Sequence, residues 1–398
     1  MFNRSRFGRF HYDALVVGAR CAGAATAMLM ARSGLKVLVI DRGRYAADTI
    51  STHALMRGGV LQLHRWGLLP RIASAGTPAV RTTEFHYGDD LVRVDIGLQH
   101  GVDALYAPRR TVLDTTLVDA ARAAGAEVRH GCTLSALVTR PNGRIGGAVI
   151  LADDGQPVEI SADLVVGADG IGSAVARLAG AQVQREGRHA TTVIYGHWRG
   201  LRATGYAWYY REGVGAGVIP TNGGAHCVFV AVPPARFRDD IHGAVAAGYA
   251  RALAGNFPSL AADVAASRLE GELAIFAGRR GFMREACGPG WALVGDAGYF
   301  RDPLTAHGMT DALRDAELLA GAAAQGTAPA FAAYATQRDE LSRALFEVTD
   351  AIASFAWDLD TLRQWHMELN TAMRREVEYI ARLSPLGLQL RYGQEKAA

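Results

Sequence analysis

The chain has 398 residues, 49% apolar and 20% charged, enough for a sizeable buried core in two domains or one large α/β domain with an inserted layer. Net charge is +3, and forty of the forty-two basic residues are arginines scattered among acids, so nucleic-acid binding is not expected. Cys21, Cys132, Cys227 and Cys287 form no Cys-x-x-Cys pair, which argues against a metal site and fits a reducing cytoplasm. No uncharged apolar run reaches the roughly 18 residues of a membrane span. Arg4, Arg6 and Arg9 precede no signal-peptide core.

In chain order, the apolar run 14–17 predicts a parallel strand buried on both faces. The turn Gly18-Ala19-Arg20-Cys21-Ala22-Gly23 follows, then a small-residue helix over 22–31 stopped at Gly34, then a strand over 36–40 ending on Asp41. Residues 58–66 read as a short helix and 84–95 as a hairpin turning at Gly88-Asp89-Asp90. Val112, Leu113, Leu117, Val118 and Ala121 give 110–124 a helical spacing, and strands with a Pro141-Asn142-Gly143 turn fill 127–166. From 181 to 276 the segments 191–198, 206–211, 216–219 and 225–232 alternate and are rich in aromatics, predicting an antiparallel sheet with a helix near 241–254. Beyond Pro329 the pattern is helical to about 383, with Phe346, Val348, Ile352, Phe355 and Trp357 as packing residues.

Three segments carry chemistry, each after an apolar strand and before a helix. A strand entering a helix through glycines brings backbone N–H groups and the positive helix end against a diphosphate. Gly18 and Gly23 hold the first and third positions of Gly-x-Gly-x-x-Gly, with Arg20 in the middle one, either turned outward or adding a charge contact. Asp41, at a strand end, is placed to accept ribose hydroxyls. The second segment is Gly167-Ala168-Asp169-Gly170-Ile171-Gly172-Ser173. The third is Gly295-Asp296-Ala297, followed by Asp302-Pro303 and by Ala306-His307-Gly308-Met309 leading into an Ala/Leu-rich helix. The N-terminus of that helix suits a ring that becomes anionic on reduction, by about 0.3–1 kcal/mol.

With these segments the chain resembles the FAD-dependent aromatic hydroxylases (group A flavin monooxygenases, para-hydroxybenzoate hydroxylase fold) over about 1–330. The resemblance implies an α/β fold: a glutathione-reductase-type, Rossmann-like FAD-binding domain in three parts (1–80, 110–180 and 286–330). A substrate-layer hairpin (81–109), an antiparallel-sheet substrate domain (181–285) and a C-terminal helical region (331–398) complete it. It further implies FAD contacts from Gly18, Ala19, Cys21, Ala22, Gly23, Asp41, Arg42, Arg57, Arg110, Leu134, Asp169, Asp296, Pro303, Gly308 and Met309. NAD(P)H is the implied electron donor, directly or through a separate flavin reductase. Ala176 replaces the arginine usual after the Asp-Gly motif, which weakens direct NAD(P)H use; Tyr299 and Ala306 also depart from the pattern.

By the same resemblance, reduced FAD and O2 oxygenate an apolar aromatic or olefinic small molecule, with a secondary-metabolite scaffold as the expected class. Tyr206, Trp208, Val218 and Pro220 are expected to line its site, and His53, His307 and Trp208 are the candidate catalytic residues. Halogenation is not expected, because the lysines are Lys36, in a turn, and Lys396, in the tail. Tyr206 and Trp208 match the start of the Tyr-x-Trp-x-Phe-Pro segment of isoprenoid reductases, so carbon–carbon double-bond reduction is an alternative. FAD as a scaffold for non-redox cyclisation is a third. No metal-binding or hydrolase motif is present.

Overall fold

A computed structural model describes residues 11–385; Arg4, Arg6, Arg9 and Lys396 lie outside them. Apolar runs of the first half, joined by two short strands ahead of Gly295, form one mixed sheet, ordered Cys287–Gly288, Trp291–Leu293, Pro157–Gly167, His11–Val17, Val37–Asp41, Glu127–His130. From Trp291–Leu293 to Glu127–His130 the strands are parallel. Ile145–Leu151 pairs antiparallel with Pro157–Gly167, and Thr133–Thr139 with Ile145–Leu151. The helix Cys21–Arg32 is buried on every side, as its Ala/Met composition requires, and packs with the helix Gly308–Gln325 on one face of the sheet. The opposite face is sealed by the Thr133–Leu151 strands and the short helix Ala174–Ala179.

The alternating segments form a second, seven-stranded sheet ordered Arg268–Phe276, Thr192–Arg199, Ala225–Val232, Val214–Pro220, Tyr206–Arg211, Thr82–Tyr87, Asp90–Asp95. All its pairs are antiparallel except Tyr206–Arg211 with Thr82–Tyr87. Its period-two pattern gives it two apolar faces. The outer face, with Ile194, Val218 and Val230, packs on helices Pro234–Asp240, Val245–Asn256 and Pro258–Ala265. The inner face carries Tyr195, Tyr206, Trp208 and Phe229 and meets residues of the C-terminal helices Ala328–Ala353 and Leu359–Arg382. Thr327 and Asp358 cap those helices by accepting the N–H groups of Ala330 and Thr361. The expected helix near 241–254 lies within a helical series, Pro234–Asp240, Val245–Asn256 and Pro258–Ala265, whose first and last helices open on proline.

One register corrects the expected lining. Trp208 stands opposite Gly217, and Val218 opposite Ala207, so Val218 lies on the outer face. Pro220 follows it by the two-residue alternation. Gly217 and Ile219 occupy the inner positions, and a Cβ at Gly217 would collide with the Phe229 ring.

Leu345, on Ala328–Ala353, is fully buried against the inner sheet face. Leu345→Ala should lower unfolding free energy in denaturant titrations by about 2–5 kcal/mol, as a cavity in a close-packed core does.

Candidate active site and cofactor cleft

The first cradle is dictated by backbone geometry. Gly18 takes a left-handed φ of 106°, and a Cβ there would overlap the carbonyl of Ala168 in the second segment. A Cβ at Gly23 would overlap the carbonyl of Gly18. Only glycine permits both approaches, which bring the N-terminus of Cys21–Arg32 against the Asp-Gly segment. Asp41 accepts the N–H of Ala19 at 2.7 Å and that of Gly43 at 2.6 Å, fixing the strand end to the glycine turn. Beside it lies a shallow cleft lined by Ala19, Arg20, Asp41, Arg44, Tyr45 and His130, among others. Arg20 is exposed and turned to this cleft, where it adds charge.

Arg110 opens its helix and grips Asp114 with two hydrogen bonds of 3.0 Å. Its field reaches Asp296 of the third segment, whose carboxyl sits deep in the fold although part of its surface still meets solvent. Burial first, then the charge of Asp311, push Asp296 up to about 7. Among the described residues its carboxyl has no hydrogen-bond partner, and Oδ1 lies 3.9 Å from where a Cβ on Gly308 would stand. A free acid between a glycine cradle and a helix N-terminus fits a polyhydroxyl chain joined to a diphosphate. That is the fit a flavin dinucleotide requires.

The loop before Gly308–Gln325 is held by buried charge. Asp302 accepts the N–H groups of Leu304 at 3.0 Å and Thr191 at 2.7 Å, tying the loop to the second sheet, and burial pushes its carboxyl up to about 7. Ala306 is left-handed, with φ 50°, at the position where the resemblance expects glycine. His307 Nε2 lies 2.6 Å from Glu376 Oε2 on Leu359–Arg382. Arg314 bonds Glu376 at 2.8 Å, Asp311 at 3.0 Å, Asp315 at 2.8 Å and Ser342 at 2.8 Å, while Arg301 bonds Asp311 at 2.9 Å. Asp315 also accepts the N–H of Gly295 at 3.2 Å, joining the Gly-Asp turn to this cluster.

Facing that loop is the inner sheet wall. Ser51 Oγ lies 4.0 Å from Met309 Sδ, and the Ser51 N–H donates to the Tyr195 hydroxyl at 2.9 Å. His53 is left-handed, with φ 68°, and 1% exposed. Its Nε2 is 2.9 Å from His197 Nε2, while its Nδ1 is buried without a partner among the described residues. His197 follows Tyr195 by two residues, in unbroken register with Ala225–Val232, so its ring shares the inner face. Burial, then the His197 charge, hold His53 well below its ordinary value; burial, then Arg109, bring His197 down to about 4. The two rings are therefore neutral and share one proton between their Nε2 atoms. Trp208 packs between Tyr206 and Phe229, with centroids 6.1 and 5.8 Å away.

The structure thus gathers Gly18, Ala19, Gly23, Asp41 and, through helix packing, Cys21 and Ala22 at one end, and Asp296, Pro303, His307, Gly308 and Met309 at the other, with Arg110 between. Four further expected contacts have side chains engaged otherwise or turned to solvent. Arg57 spends its guanidinium on the carbonyls of Val102 and Gly97. Leu134 is packed with Leu15 and Ile40 on the far face of the sheet. Arg42 is exposed, and Arg44 lines the cleft instead. Asp169 uses its carboxylate on Ser173 and the N–H of Ala174, capping a short helix. His197, Arg301, Arg314 and Glu376 were not foreseen; the one sequence signal was acids and an arginine at helical spacing in an otherwise Ala/Leu-rich segment.

Because the folded state raises the Asp296 carboxyl above its unfolded value, ionisation penalises the ligand-free fold, the penalty building between about pH 4 and 7. Asp296→Asn should therefore be more stable than the parent by about 1–2 kcal/mol at pH 8.5, with no gain at pH 3.5. Unfolding midpoints across that range check this.

Residues 11–348 match the family model described as an FAD binding domain. Digeranylgeranylglycerophospholipid reductase 1 of Methanococcoides burtonii is 26% identical over 335 residues, covering 78% of this chain and 73% of that protein. The probable electron transfer flavoprotein-quinone oxidoreductase YdiS of Escherichia coli is 33% identical over 177 residues; the match takes in 42% of this chain and only 39% of YdiS. Among solved structures, a triple mutant of the flavin-dependent brominase Bmp2 superposes with a TM-score of 0.80 at 19% identity, covering 97% of this chain and 99% of Bmp2. PqsL of Pseudomonas aeruginosa, a probable FAD-dependent monooxygenase, gives 0.72 at 19%, covering 92% of this chain and 100% of PqsL. These two likenesses concern the fold. No helix among the described residues is long and apolar enough to cross a membrane. Cradle, free acid and matched length together place the chain in the FAD-binding-domain family of FAD-dependent oxidoreductases.

Proposed function

We propose that this protein is a monooxygenase that inserts one oxygen atom from O2 into an apolar aromatic or olefinic small molecule, by hydroxylation or epoxidation. NAD(P)H supplies the electrons, directly or through a separate flavin reductase. The observation that carries the reading is the aromatic inner sheet wall facing the 303–309 loop, with a close pair of histidines, one of them fully buried, set in it. Gly18, Gly23 and the N-terminus of Cys21–Arg32 would hold the pyrophosphate, Asp41 the adenosine ribose, Asp296 the ribityl side, and the 303–309 loop the ring. Bound there, FAD supplies the electron store and the site of reaction with O2.

The chain's own contribution is to orient the acceptor, exclude water and manage a proton. Tyr206 and Trp208 are 1% and 5% exposed, so the wall is dry, and dryness limits wasteful release of hydrogen peroxide. His53 Nδ1 is the proton-handling atom: the only unpartnered nitrogen of a ring whose Nε2 is engaged by His197. A proton taken at Nδ1 is relayed as the Nε2 proton passes to His197, which is less buried.

A second reading, reduction of a carbon–carbon double bond, is favoured by the length over which the Methanococcoides reductase matches and by Tyr206 and Trp208 at the start of the reductase segment. Tyr210 and Arg211 replace its Phe and Pro. Halogenation has less support: Lys36 stacks over Tyr12 at the end of the sheet away from the loop.

Incubation of FAD-loaded protein with NAD(P)H, ¹⁸O2 and a panel of apolar aromatics and polyenes should give product carrying one ¹⁸O. Conversion that persists without oxygen and saturates a double bond would sink oxygen insertion and establish the second reading. In the same assay His53→Gln should lower turnover at least about 100-fold with FAD content unchanged. Gly23→Ala should instead purify with at least about tenfold weaker FAD binding, read from the 450 nm to 280 nm absorbance ratio.

A further inference from the structure

Five fully or nearly fully buried charges surround the base of Gly308–Gln325: Arg301, Asp311, Arg314, Asp315 and Glu376. Two are positive and three negative. A charge cluster closed off from water is stable only near neutrality. The neighbouring pairs Arg338–Asp339 and Arg65–Glu317 cancel within themselves. Beside this unbalanced set stands His307, whose ring is 1% exposed and bonded through Nε2 to Glu376.

Glu376 comes from the C-terminal helix, far in sequence from the loop it reaches. Two consecutive glycines on the helix Arg57–Arg65 let that helix approach Thr310 beside it. A Cβ on Gly58 would press on Thr310 at 3.0 Å and just touch Glu376 Oε2 at 3.4 Å, and one on Gly59 would press on Thr310 Oγ1 at 2.9 Å. The carboxylate takes the Nε2 proton of His307 and an Nη1 proton of Arg314, one on each oxygen. His307 Nδ1 remains: buried, without a partner among the described residues, and at the residue that caps the helix. A buried polar atom left unpaired is costly unless something fills it. The helix N-terminus beside it favours an anion.

We infer that Glu376 is a positioning residue for the flavin: by holding Nε2 it fixes the His307 ring so that Nδ1 is presented to the pyrimidine edge of the flavin and hydrogen-bonds it in its reduced, anionic form. The inference rests on the ring lying at the 303–309 loop, as in the proposed function. It makes the C-terminal helix part of the redox site. Neither residue exchanges electrons; the pair alters how much the protein favours the reduced state.

The test is a redox titration of FAD-loaded protein against a dye of known potential, for the parent, Glu376→Gln, His307→Gln and the double variant. Each single variant should reduce the preference for reduced over oxidised flavin about tenfold, lowering the two-electron midpoint by about 30 mV. The double variant should move no further than either single, because both remove one interaction. Midpoints that stay in place or rise, in variants that retain FAD, would leave a purely structural ion pair and overturn the inference, whatever happens to melting temperature. If Glu376→Gln does not fold, His307→Gln decides alone, since it leaves Glu376 bonded to Arg314. The proposed reaction stands or falls separately, on the fate of ¹⁸O2.

Discussion

A single guanidinium, that of Arg314, is the node on which the site depends. It has no exposure to solvent, and three carboxylates and a serine hydroxyl surround it. Through Asp315 it reaches the Gly-Asp turn, through Asp311 and Arg301 the loop ahead of the helix, and through Glu376 and Ser342 both C-terminal helices. An ion in a low-dielectric interior tolerates little displacement of its partners, since each lost bond leaves charge uncompensated. Elements far apart in sequence are thereby set in one register. Apolar packing alone specifies position less sharply, because volume-conserving shifts cost little.

Two kinds of surface meet across that node. One is made of backbone: glycine turns, a helix N-terminus and a strand-end acid, suited to phosphate and hydroxyl groups. The other is made of rings, the inner face of an antiparallel sheet whose polar atoms are few and mostly engaged. Redox chemistry on an apolar substrate needs both at once, a polar berth for the cofactor and a dry wall for the acceptor. The histidine pair is the exception in the wall. His53 sits in a strained left-handed conformation there, and such strain persists where the surroundings over-determine it.

The sequence disclosed what backbone geometry demands. Gly18, Gly23 and Asp41 were legible because a strand–turn–helix crossover around a diphosphate leaves few residue types able to occupy them, and their neighbours are close in the chain. The alternating aromatic segments likewise revealed the second sheet. Contacts set by register or long-range packing were not legible. Whether Val218 faces in or out depends on which residue it opposes in the sheet. His197 meets His53 across the fold, and Glu376 enters the loop from a helix whose sequence shows only charges on a solvated face. Leu134 and Arg57 also have partners that local pattern does not reveal: the side chain of one is packed under the sheet, and that of the other bonds the carbonyls of Val102 and Gly97.

The order of strands in the parallel sheet also bears on how the protein is made. Val17, Gly167 and Leu293 end up on adjacent strands, although the ribosome delivers them at widely separated times. The nucleotide berth cannot close until the last of these strands has emerged and threaded into place, and Glu376 arrives later still. Until Trp291–Leu293 has emerged, Pro157–Gly167 has one edge open and the berth for a flavin nucleotide is incomplete. Closure of such distant segments is the slow kind of folding event, governed by topology rather than local propensity.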